Sequence, residues 1–115
     1  MTEVVIWHNP RCSKSREALK LIEGRGITPV IRRYLDDPPS LEELRATQGT
    51  LGLRAIEMMR VKETLFRDLG LSKDDDDETL LAAMAANPKL IERAIVFANG
   101  RAVLGRPPEL VLDIL

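Results

Sequence analysis

The β-branched run Val4-Val5-Ile6 stands at the centre of Glu3 to Trp7 and predicts a short strand, because branched side chains fit a pleated surface. Pro10 and a polar loop end it. From Ser13 the period changes: Ala18, Leu19, Leu21 and Ile22 line one helical face, and Gly24 and Gly26 supply stop signals. Thr28 to Tyr34 alternates weakly and predicts a second strand. A helix separates the two strands, so the simplest pairing is parallel with a right-handed crossover. Asp36-Asp37-Pro38-Pro39 then breaks the chain.

A helical middle follows. Ser40-Leu41-Glu42-Glu43 has the form of a capping box, with Ser40 as N-cap and Glu43 three residues on. Gly49 and Gly52 punctuate the next stretch, Leu53 to Met59 predicts an amphipathic turn or two, and Val61 to Leu69 a further short helix. The acidic run Asp74 to Asp77 lacks the spaced ligands and turn glycine of a calcium loop. It reads instead as a solvated segment complementing the dipole of a helix over Glu78 to Ala86, which Asn87-Pro88 ends. Beyond it, Ala94 to Ala98 and Arg101 to Leu104 are two apolar runs joined by Asn99-Gly100, a strong hairpin signal. Gly105-Arg106-Pro107-Pro108 leads into a predicted final helix over Glu109 to Leu115. This order predicts an α/β fold, a thioredoxin-like (glutaredoxin-like) βαβ…ββα core with a helical insertion. The core covers about 1–35 and 88–115 and the insertion about 36–87, in one domain spanning 1–115.

Composition narrows the function. The 115 residues are 44% hydrophobic and 30% charged, ordinary values for a soluble domain with a single core. A net charge of -1 gives no bulk attraction to nucleic acid or anionic membrane, so any basic site is local. One tryptophan, one tyrosine and two phenylalanines are too few for a base-stacking surface. No apolar run approaches the roughly 20 residues of a membrane span. Met1-Thr2-Glu3 carries no basic leader, so no signal peptide is expected. A single cysteine excludes an internal disulfide, which fits a reducing cytoplasm. With no heptad seam, a monomer is the default.

That cysteine, Cys12, lies in His8-Asn9-Pro10-Arg11-Cys12-Ser13-Lys14-Ser15-Arg16, where the first strand hands over to the first helix. Unpaired amides at a helix start, with Arg11, Lys14, Arg16 and His8 close in sequence, are the setting that favours a thiolate. The same groups can cradle an oxyanion. A thiolate beside an anion cradle predicts thiol chemistry on a small anionic substrate. Any disulfide formed at Cys12 must be resolved by a thiol from outside this chain.

The segment His8-Asn9-Pro10 leading into Cys12, then Ser15-Arg16, resembles the ArsC family of glutaredoxin-coupled arsenate reductases. Later landmarks are Tyr34-Leu35 before Pro38-Pro39, Arg60 after Met58-Met59, Asn87 to Arg93, and Gly100 to Pro108. The resemblance covers essentially the whole chain. It implies that the cysteine matching Cys12 attacks arsenate to form a thiol–arsenate adduct. Glutathione then displaces oxygen and supplies the second sulfur, glutaredoxin resolves the mixed disulfide, and arsenite leaves. It implies that Arg60, Arg93 and Arg106 bind the oxyanion, which suits guanidinium groups that grip tetrahedral anions bidentately. The histidine matching His8 is implied to help hold the thiolate. His8 can equally be a hydrogen-bonded imidazole at a strand end. Ser15 either donates to the thiolate or caps the helix start. Glutathione is implied as co-substrate and glutaredoxin as partner, with no bound cofactor, metal, membrane or nucleic acid.

Two positions depart from the family pattern. Ser13-Lys14 stands where Gly-Thr is usual, and Ala94 stands where a cis-proline usually follows the arginine matching Arg93. A non-proline cis bond costs about 2.5–4 kcal/mol, so a trans Arg93-Ala94 peptide is expected. Two other readings compete with arsenate reduction. One is a general glutathione-linked thiol oxidoreductase, which would reduce a mixed disulfide and ignore arsenate. The other is a non-enzymatic regulator like Spx that binds RNA polymerase, although Spx proteins typically carry a CxxC pair where this chain has Cys12-Ser13-Lys14-Ser15.

Overall fold

A computed structural model describes residues 3–115; the expectation of no leader rests partly on Met1 and Thr2, which lie outside the described residues. The chain divides into two compact units, residues 1–37 with 93–115, and residues 38–92.

The first unit is built on a four-stranded sheet of order β2-β1-β3-β4, with β1 Val5–Trp7, β2 Val30–Arg32, β3 Ile95–Ala98 and β4 Arg101–Leu104. The β1–β2 pair is parallel, as the intervening helix α1 (Ser13–Gly24) requires, and the β1–β3 and β3–β4 pairs are antiparallel. Asn99 and Gly100 both take positive φ, 55° and 72°, the geometry of a tight primed hairpin turn. One sheet face packs Val4, Ile6, Ala94, Val96 and Ala98 against Ala18 and Ile22 of α1 and Val111 and Ile114 near the C-terminus. On strands β1 and β3 the alternate positions Trp7 and Phe97 meet with ring centroids 5.1 Å apart and planes tilted by 55°, and the Arg32 guanidinium lies 5.4 Å from the Trp7 ring.

Three expectations need correction here. The second strand is shorter than Thr28–Tyr34, because β2 is an edge strand whose Val30 and Ile31 stay about half exposed and the chain turns at Arg33. The C-terminal segment is a 3-10 helix, Pro108–Ile114, rather than an α-helix. Its buried residues Pro108, Val111 and Ile114 recur every third position, which matches three residues per turn. The Arg93-Ala94 peptide is cis rather than trans, as is Arg106-Pro107. Tertiary surroundings outweigh the local preference: the Ala94 methyl is fully buried and its carbonyl accepts the Gly105 N–H at 2.8 Å.

The second unit is helical: α2 Leu41–Leu51, a 3-10 turn Ala55–Met58, α3 Thr64–Asp68, α4 Asp77–Ala86 and a 3-10 turn Pro88–Leu90. Ser40 and Glu43 form the capping box reciprocally, and Gly52 ends α2 in the left-handed conformation. Asp76 caps α4 by accepting the Thr79 N–H at 2.8 Å, and hydrogen bonding from the Thr79 side chain first, then from its N–H, lowers the Asp76 carboxyl pKa. Arg45 grips Glu78 through two hydrogen bonds of 2.8 and 2.7 Å, tying α2 to α4. Among the described residues no helix is long and apolar enough to cross a membrane.

Candidate active site

Cys12 is the N-cap of α1, in extended conformation, and its carbonyl accepts the Arg16 N–H at 3.0 Å as the first bond of the helix. Its thiol is partly exposed. The turn that presents it is closed by Asn9, whose carbonyl accepts the Cys12 N–H and whose side-chain oxygen accepts the Arg11 N–H, both at 3.0 Å. Among the described residues no side chain caps α1 and no acidic residue lies in its first turn, and a helix start carries the partial positive charge that favours an anion.

Ser15 neither caps the helix nor points its hydroxyl into solvent. It is fully buried, accepts the Asn9 N–H at 3.0 Å, and its Oγ lies 2.7 Å from His8 Nδ1. The hydroxyl thus holds the Asn9 amide and the His8 ring together, the direction of the Ser15–His8 bond following the imidazole tautomer. Burial, then the positive charges of Arg33 and Arg16, push the His8 pKa below its usual value, so the ring is neutral at neutral pH. The geometry is that of a hydrogen-bonded imidazole bracing the turn.

Strand register gathers the other candidates of this unit. Trp7 pairs with Ile95 and Ile95 with Leu104. Just past the strand ends, the Gly105 N–H donates to the Ala94 carbonyl, and Arg93 and Arg106 are the next residues at the open end of the hairpin. That is the end of the sheet where β1 exits into His8 and the Cys12 turn. Cys12, His8, Ser15, Arg93 and Arg106 therefore share one end of one sheet. Arg60 belongs to the helical unit, where its N–H donates to the Leu90 carbonyl at 2.8 Å and its guanidinium pairs with Glu63 at 3.0 Å.

Sequence reasoning missed two parts of this end of the sheet. Asn9 holds the turn through its carbonyl, amide and side chain, and the Asn-Pro pair was the available signal. Arg33 and Asp36 were missed, and Leu35 stood only as a family landmark, because nothing local connects them to residues 8–11. His8 N–H donates to the Arg32 carbonyl at 2.8 Å, extending the parallel ladder, so both loops leave the sheet together.

The sheet and the helix that follows β1 form a thioredoxin-like fold, with the sequence's one cysteine at the start of that helix. Residues 7–114 match the ArsC family, and the chain belongs to that family. It is 50% identical over 117 residues, covering 100% of both chains, to "Arsenate reductase" of Neisseria meningitidis serogroup A. It is 49% identical to "Uncharacterized protein YfgD" of Escherichia coli K12, covering 98% of this chain and 97% of that one. A solved structure, "Arsenate reductase from Vibrio cholerae", superimposes with a TM-score of 0.95 at 53% identity, covering 99% and 98% of the two chains.

Proposed function

We propose that this protein reduces arsenate to arsenite through Cys12, with glutathione and glutaredoxin as reductants. The observation that carries the reading is the coincidence of Cys12, at an uncapped helix start, with Arg93 and Arg106 at the same end of the sheet in an ArsC family chain. Arsenate enters as an anion toward the helix amides and guanidiniums. The Cys12 sulfur displaces one arsenate oxygen, which leaves as water, and forms an S–As(V) bond without change of oxidation state. Glutathione sulfur then joins Cys12 sulfur; the S–As bond breaks, its two electrons stay on arsenic, and arsenite is released. A glutaredoxin thiol attacks the mixed disulfide and returns Cys12 to the thiol. The chain carries no second cysteine to do this itself.

Within this scheme Arg93 and Arg106 bind the oxyanion, and the family resemblance assigns the same role to Arg60. Ser15 and His8 are positioning residues that fix the turn. The protein acts as a monomer in the cytoplasm, where thiols stay reduced. Coupled NADPH oxidation with arsenate, glutathione, glutaredoxin and glutathione reductase tests the activity. A rate above blank is expected, lost in Cys12→Ser. Reduction of a mixed disulfide with no response to arsenate would replace this reading with the general thiol oxidoreductase.

A further inference from the structure

A pocket of about 340 Å³ opens beside the Cys12 turn, lined by His8, Asn9, Pro10, Arg11, Arg33, Leu35 and Asp36. One wall is the loop that runs directly into Cys12; the other is the turn after β2. That turn is fixed by the Asp36 and Asp37 N–H groups, both donating to the Arg33 carbonyl at 2.9 Å. Arg33 and Asp36 stand 3.9 Å apart with both side chains mostly exposed, a loose pair that leaves each charge open to a ligand group of opposite sign. Arg33 on one wall and His8 on the other both line the pocket. Leu35, 41% exposed, adds an apolar surface.

Size and charge together choose the occupant. The pocket lies in the range of small-molecule sites, roughly 300–1,000 Å³, larger than a single tetrahedral oxyanion needs. Asp36 repels an inorganic anion but attracts an ammonium group. Two cations and one anion complement a molecule with two carboxylates and one ammonium. The site also lies beyond the carboxyl ends of parallel strands β1 and β2, where open sheets bind ligands.

We propose that this pocket seats the reducing thiol as a small zwitterionic peptide of the glutathione class, Arg11 and Arg33 receiving its carboxylates and Asp36 its ammonium. The assignment rests on the reading of Cys12 as the reacting thiol and adds where its co-substrate is held.

The test is titration of the isotopically labelled chain with S-methylglutathione, whose thioether cannot exchange disulfides, followed by amide chemical shifts. Shifts are expected at Asn9, Arg11 and residues 33–36. Loss of a charge-assisted pair in Arg33→Glu, or separately in Asp36→Lys, should weaken binding about tenfold. Shifts confined to other residues, or both variants binding as tightly as the parent, would overturn the proposal. The titration contains no arsenate, so it is independent of whether arsenate is the substrate. That question is read separately by whether arsenate protects Cys12 from iodoacetamide.

Discussion

At Ser15 one hydroxyl ties the end of β1 to the start of α1, and two polar groups depend on it. Ser15→Ala leaves the Asn9 N–H and His8 Nδ1 without that partner in a buried place. The expected loss is about 1–3 kcal/mol, read by urea unfolding, because an unsatisfied buried group costs its desolvation. His8 makes a related prediction in pH. Its folded pKa lies below the ordinary 6.5, so the unfolded chain binds this proton first as pH falls. The His8 contribution is therefore complete above pH 6.5 and is lost as pH drops from there through the folded value. Denaturation followed against pH should show a shallower acid-side decline in His8→Gln than in the parent. An unchanged slope would mean that the imidazole is not held neutral. Cys12 and its basic surroundings were legible as residues in a row. The brace beneath them was not, since it needs Ser15 turned back toward Asn9 across the turn.

The elements that could be read from the sequence are those whose signals are local. Val4-Val5-Ile6, the Ser40/Glu43 box and Asn99-Gly100 each act within a few residues, and β1, α2 and the β3–β4 hairpin follow from them. Ser40→Ala removes the bond to the Glu43 N–H and should destabilise the protein by about 1 kcal/mol in thermal or urea unfolding, as N-cap losses do. No change would show that the box is formed without contributing. Where the outcome depends on distant neighbours, local reasoning failed. β2 ends early because it is an edge strand, the last helix is wound at three residues per turn by its buried face, and the Arg93-Ala94 peptide is cis amid fully packed neighbours.

For the whole molecule, the parallel β1–β2 pairing and the antiparallel β1–β3–β4 pairing bring one end of the sheet to bear on the Cys12 turn from both sides. On the β3–β4 side stand Arg93 and Arg106, which the family resemblance picked out. On the β2 side stand Arg33 and Asp36, which nothing in the sequence singled out, because their relation to residues 8–11 exists only once the strands pair. This division suits a reaction with two reactants, an oxyanion and a thiol, approaching one sulfur. The most direct measurement is intact-protein mass spectrometry with arsenate and glutathione, glutaredoxin omitted, alongside arsenite quantification. One glutathione is expected at Cys12, only when arsenate is present, with one arsenite released per modified chain. Glutathione attachment without arsenate dependence, or arsenite produced by Cys12→Ser, would contradict arsenate reduction through Cys12.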